Sequence, residues 1–253
     1  MIPDIARADL REFVVGTDRD VVLLGAAALR IANPRFLRRI TDDLDLTVAV
    51  DVSDLPSIVP RTWRPHPSFS HRWFGTNGTK FDLVPSSRTI LESGVIHWPD
   101  GYEMNAAGLD LALRHHQPTP LALGDGAEVN VASVPSIIVL KMVAYLDRPG
   151  AREKDLGDLA HTIALYVDDD DDRRFTDEVF EQQLAFEDAA PFLAGQDVAS
   201  ICETRHRDQV ARFLDRLSRE GVEISLMRRD GPDAWARDGA AERGMDAFRR
   251  GFA

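Results

Sequence analysis

The 253 residues carry 42 acidic against 30 basic side chains, a net charge of -12, with 44% hydrophobic residues. That length suffices for one large domain or two modest ones with a buried core, and the acidic balance argues against wholesale coating of nucleic acid. No apolar run approaches the ~20 residues of a membrane helix. The N-terminus lacks a signal-peptide layout, and the lone cysteine, Cys202, excludes an internal disulfide or a multi-cysteine metal site. A cytoplasmic protein without membrane contact is expected.

Taken in chain order, IARADLREFVV reads as an amphipathic helix, VVLLG (21–25) as a buried strand closed by glycine, and AAALRIA as a helix restarting directly after it. LDLTVAV follows as a strand. Beyond a Pro-rich connection come three candidate strands near 61–64, 69–74 and 79–84, the last two joined by the turn signal GTNG. NAAGLDLALRHH reads as a helix, and PLAL and EVNVASV as a hairpin across GDG. PSIIVLKMVAYLDR is an apolar helix with Pro135 at its start. EKDLGDLAHTIALY is a further helix, the DDDDD run at 168–172 a solvated loop, and the stretch 175–251 mainly helical. The expected fold is α+β: a mixed sheet with flanking helices in residues 1–133, followed by a helical part in 134–253.

Several features of this chain ask for a chemical explanation. Asp43 and Asp45 lie two apart in a strand and so share one face, while Leu44, Leu46 and Val48 take the other. Two carboxylates in one small space repel unless a cation neutralises them, and a hard divalent ion such as Mg2+ or Mn2+ takes oxygen ligands. In FDLV, Asp82 is a third strand acid, opposite in face to Phe81 and Leu83. Three carboxylates on two strands are the donor set of a two-metal phosphoryl or nucleotidyl transfer site. Gly25 ends a strand just before a helix, where backbone N–H groups can receive phosphate oxygens. Residues 21–41 and 55–81 contain no acid but several arginines, so two basic stretches flank the acidic strand. Lysine is scarce, with Lys80, Lys141 and Lys154 the only three among 30 basic residues, and each points to a place needing a compact point charge.

These stretches together resemble a known family. "LLGAAALRIANPRFLRRITDDLDLTV" is similar to the opening motif of the nucleotidyltransferase superfamily that includes DNA polymerase beta, and within it to the AbiEii/AbiGii-type toxins of toxin–antitoxin systems. Gly25-Ala26, Ala28-Leu29, Arg39, Thr41, Asp43 and Asp45 occupy the motif positions. Gly25-Ala26 departs from the usual Gly-Gly or Gly-Ser. Farther on, Lys141, Arg148, Lys154, Asp155 and Asp158 match a later motif of a lysine-bearing helix, a basic link and Lys-Asp-x-x-Asp-Leu. The resemblance implies transfer of NMP from an NTP to an acceptor hydroxyl, with Asp43, Asp45 and Asp82 as metal ligands. It places Gly25, Ala26, Arg39, Thr41, Lys154, Asp155 and Asp158 around the nucleotide. Lys141, in a helix otherwise apolar on nearly every face, is expected to face the carboxylate cleft against the triphosphate, the alternative being a lysine that snorkels to solvent. It also implies a tRNA 3' end as acceptor and a cognate antitoxin as partner.

Other readings stand beside this one. The same fold serves catalytically silent nucleotide- or partner-binding proteins and enzymes that modify antibiotics. Trp63 and Trp73, interleaved with arginines, read either as base-stacking platforms or as buried aromatics of the sheet. His115-His116 reads as a helix end rather than a metal site.

Overall fold

The computed structural model describes residues 2–36 and 41–253. The chain divides into two compact units, 1–137 and 138–253. In the first, the order is α1 (Asp4–Gly16), β1 (Val21–Leu24), α2 (Gly25–Ala32), β2 (Asp43–Val48), α3 (Leu55–Ile58), β3 (Arg64–Pro65), β4 (Arg72–Phe74), β5 (Lys80–Pro85), α4 (Arg88–Ser93), β6 (Val95–His97), β7 (Glu103–Asn105), α5 (Leu109–Arg114), β8 (Leu121–Gly124) and β9 (Ala127–Val131). Seven strands form one mixed sheet in the order β3-β4-β5-β2-β1-β9-β8, and β6 and β7 pair separately. The β6–β7 pair was not expected from the sequence.

The two central pairings set the site. β1 and β2 run antiparallel, with Leu24 opposite Asp45, whereas β2 and β5 run parallel, with Asp45 opposite Asp82. Thr47 locks this long-range parallel pair, its hydroxyl lying 3.0 Å from the Val84 carbonyl and 2.8 Å from the Ser86 hydroxyl. Leu44, Leu46, Phe81 and Leu83 are buried on the opposite face from the acids, as the two-residue alternation requires. That face carries an aromatic stack. Trp63 lies between Phe13 of α1 (5.4 Å) and Phe81 (4.3 Å), and its indole N–H donates to Glu12. Trp63 is therefore a core residue, satisfied at its one polar atom.

A buried acid on α1 fastens the turn between β4 and β5. Asp9, with no exposed surface, accepts from the Asn77 backbone N–H (2.9 Å), the Asn77 side-chain amide (2.7 Å) and the Thr79 backbone N–H (3.2 Å). Its carboxylate lies so close to Gly75 that a Cβ there would stand 2.5 Å from Oδ2. The GTNG turn is thus held by a helix distant in sequence as well as by its own glycines.

The helix α6 (Val134–Asp147) carries the division between the units, which falls after its fourth residue rather than before the helix. The second unit continues with α7 (Glu153–Ala164), α8 (Asp177–Glu181), α9 (Ala189–Ile201), α10 (Thr204–Glu220), α11 (Val222–Asp230) and α12 (Ala240–Phe252). α9 and α12 pack at close range through glycines. A Cβ on Gly195 would stand 2.1 Å from the Phe248 carbonyl, and one on Gly251 2.0 Å from the Phe192 carbonyl. Among the described residues no helix is long and apolar enough to cross a membrane. The α+β architecture expected from the sequence, a mixed sheet with helices and then a helical part, is the one observed.

Candidate active site

The registers bring Asp43, Asp45 and Asp82 onto one face of the sheet. Asp45 and Asp82 are direct neighbours across β2 and β5, and Asp43 precedes Asp45 by two residues on the same face. All three are partly buried. Thr41, just before β2, fixes the first of them by donating its hydroxyl to an Asp43 carboxylate oxygen. Arg39, expected beside it, lies outside the described residues.

Gly25 closes this face from the β1 side. It follows Leu24, the register partner of Asp45, and opens α2 with φ +66°. A Cβ built on Gly25 would stand 1.9 Å from Asp45 Oδ2 and 2.8 Å from its Cγ. Glycine here meets two demands at once, a left-handed backbone and space for a carboxylate. Among the described residues, the only non-glycine positive φ angles are at Asp125 and Gln183, so Ala26 carries no such strain. The departure from Gly-Gly thus falls at the position that does not need glycine's conformation.

One residue at this site escaped the sequence reading. Arg72 of β4 is the register partner of Asp82, and its guanidinium grips both Asp82 oxygens, Nε to Oδ1 and NH2 to Oδ2, each at 2.7 Å. The same NH2 reaches Asp43 Oδ2 at 3.3 Å. The hydrogen bonds to Asp82, only partly offset by burial and reinforced by the charges of Asp82, Asp43 and Asp45, hold the Arg72 pKa above its ordinary value. The signal was present as an acid-free, arginine-bearing stretch, but only the strand register shows which arginine faces the acids.

Three carboxylates that draw a cation to themselves fit a hard divalent ion by donor chemistry. In the structure Arg72 brings a positive charge to Asp82 and Asp43. Asp43, Asp45 and Asp82 would hold the metal, with Asp82 shared with Arg72.

Lys141, Asp155 and Asp158 form a cluster of their own in the second unit. The Lys141 ammonium, 7% exposed, donates to Asp155 at 2.8 Å and Asp158 at 2.7 Å. Burial alone would lower its pKa, but the two carboxylates outweigh that and raise it. Asp155 and Asp158 are both buried on α7, on one helical face at i, i+3 spacing. Arg152 stands 3.9 Å from Asp155, and Lys154 is exposed. An apolar helix therefore carries a lysine that is satisfied by carboxylates rather than by reaching solvent.

A crystal structure of an H. pylori candidate nucleotidyltransferase aligns with 98% of this chain and 89% of that one, at 12% identity and a TM-score of 0.33. No curated protein sequence matches significantly. The family model of the nucleotidyl transferase AbiEii toxin, of type IV toxin–antitoxin systems, matches residues 94–242. The matched span takes in Lys141, Arg148, Lys154, Asp155 and Asp158 and leaves the strand carboxylates outside it. Since it covers more than half of the sequence, the chain belongs to the AbiEii nucleotidyltransferase toxin family.

Proposed function

We propose that the protein transfers NMP from an NTP to an acceptor hydroxyl and releases pyrophosphate, with Mg2+ or Mn2+ held by Asp43, Asp45 and Asp82. The observation that carries this reading is the register placing Asp45 beside Asp82, with Gly25 leaving room for the Asp45 carboxylate. A divalent ion bound there would neutralise developing charge on the phosphoryl oxygens. The acceptor oxygen forms a bond to the α-phosphorus as the bond to pyrophosphate breaks, and Asp82 orients or accepts the acceptor's proton. Thr41 keeps Asp43 in place. The start of α2, from Gly25 and Ala26, supplies backbone donors for phosphate oxygens.

Lys141, Arg39, Lys154, Asp155 and Asp158 are assigned to nucleotide handling by the motifs they match. For Lys141 the structure adds a condition. Two of its three N–H donors are taken by Asp155 and Asp158, so phosphate meets the third or exchanges with a carboxylate. By family resemblance the acceptor is a tRNA 3' end, the setting is the cytoplasm, and a cognate antitoxin counters the activity.

A second reading, nucleotide binding without catalysis, draws on Arg72, which occupies both oxygens of Asp82. Incubation with each labelled NTP, Mg2+ and total tRNA separates the two. Pyrophosphate release with label on RNA is expected, together with its loss by at least 100-fold in Asp45→Ala while cooperative unfolding persists. Metal-dependent stabilisation by NTP without pyrophosphate release would select the silent reading. An Asp45→Ala protein that fails to unfold cooperatively would make Asp45 structural.

A further inference from the structure

Arg72 is placed where a catalytic cation would be wanted. Its guanidinium forms two parallel hydrogen bonds with Asp82, the strong bidentate geometry of a fork on a carboxylate, and extends to Asp43. β4 and β5 fix its position through the Arg72–Asp82 register, and the Asp9 anchor holds the turn that joins those strands. On its other side the guanidinium lies over the ring of Phe69, 5.8 Å from the centroid, and Phe69 is about half exposed. Arg72 thus touches an aromatic ring at the solvent edge while it holds Asp82, a contact that does not depend on the carboxylate.

The charges decide what a ligand of this site must bring. Arg72 holds both oxygens of Asp82 and reaches Asp43, so a divalent ion bound to Asp82 would sit beside a fixed positive charge and compete for the same oxygens. A triphosphate arriving with the ion carries negative charge that both cations can share. Building on the nucleotidyltransferase reading, we infer that Arg72 is a positioning residue that acts as a resident counter-cation, keeping the carboxylates closed to a divalent ion until nucleotide phosphate arrives. Metal and nucleotide then bind with positive coupling, and Arg72 is the source of that coupling.

The test needs no turnover. Mn2+ is titrated into wild type, Arg72→Ala and Arg72→Gln, with and without a non-hydrolysable NTP, following bound metal by electron paramagnetic resonance and melting temperature in parallel. The glutamine variant keeps a hydrogen-bond donor without the charge and serves if the alanine variant folds poorly. Without nucleotide both variants should bind Mn2+ at least tenfold more tightly than wild type and gain more melting temperature from it. The gain in Mn2+ affinity on adding the NTP analogue should be smaller in the variants than in wild type. If wild type binds Mn2+ and the variants bind it no more tightly, the role given to Arg72 is wrong although the metal reading stands. If none of the proteins binds Mn2+, the metal reading fails and this inference with it.

Discussion

Gly25→Ala is the most discriminating single change at the site. At φ +66° an alanine incurs about 1–2 kcal/mol of backbone strain. Its Cβ would also stand 1.9 Å from Asp45 Oδ2, a contact that cannot persist. Backbone movement at the β1–α2 junction is resisted by the Leu24–Asp45 register, so the cheaper relief is for the Asp45 carboxylate to leave its rotamer, at about 0.5–1.5 kcal/mol. The sum is about 2–3 kcal/mol of stability, or a fall of roughly 4–12 °C in melting temperature. The functional loss should be larger, because the displaced group is a proposed metal ligand. Mn2+ affinity should fall at least tenfold and NMP transfer at least 100-fold, whereas Ala26→Gly should change transfer little. Thermal melting, Mn2+ titration and pyrophosphate release measured on the same preparations give all three numbers. A Gly25→Ala protein with wild-type metal affinity and turnover would refute the claim that glycine is there for the Asp45 carboxylate.

Two further changes probe the scaffold. Lys141→Met would remove the ammonium that two buried carboxylates, Asp155 and Asp158, share, a cost of about 3–5 kcal/mol, so melting temperature should drop by on the order of 10 °C or more; a drop under 2 °C would show that the pair is not buried in solution. The pH dependence has a definite sign. The folded Lys141 pKa is raised above its ordinary value of 10.5 by the two carboxylates, against burial. Its stabilisation is therefore fully present below about pH 10.5 and lost as pH rises through the higher folded value, so wild type should lose stability above pH 10.5 more steeply than Lys141→Met. Asp9→Ala removes the acceptor for three N–H donors at the β4–β5 turn and should cost about 2–3 kcal/mol, read by urea unfolding. If that variant loses less than 0.5 kcal/mol, α1 is not what holds the turn.

What the sequence discloses follows from how local each feature is. The alternation around Asp43, Asp45 and Asp82 is a period of two within six residues, and the strand–glycine–helix step at Gly25 is contiguous, so both can be read directly. α6 and α7 likewise declare themselves by length, apolarity and first-turn acids. Trp63 could not be decided from its neighbours, because its ring partners, Phe13 and Phe81, lie 50 residues before it and 18 after it. The pairing of β2 with β5 joins Thr47 to Val84, 37 positions on. Nothing in either strand states that register, yet a slip by one would turn every acid to the other face.

Scarce lysine marks sites that need a point charge, and Lys141 between two buried carboxylates is such a site. At the strand acids the demand is different. Both Asp82 oxygens are held by one guanidinium edge while a further N–H reaches Asp43, a demand that a planar fork meets and a single ammonium does not. Lys80, opposite Asp43 in the β2–β5 register, sits one strand closer to Asp43 than Arg72 does, yet it is Arg72 that engages Asp82 with both donors. At these two sites cation identity follows the geometry of the acid served: a point charge where two carboxylates converge on one atom, a fork where one carboxylate offers both oxygens. An Arg72→Lys protein should accordingly keep the charge yet lose the two-point hold on Asp82. Its Mn2+ affinity without nucleotide should lie between those of wild type and Arg72→Gln, and equality with wild type would show that charge alone, and not the fork, closes the site.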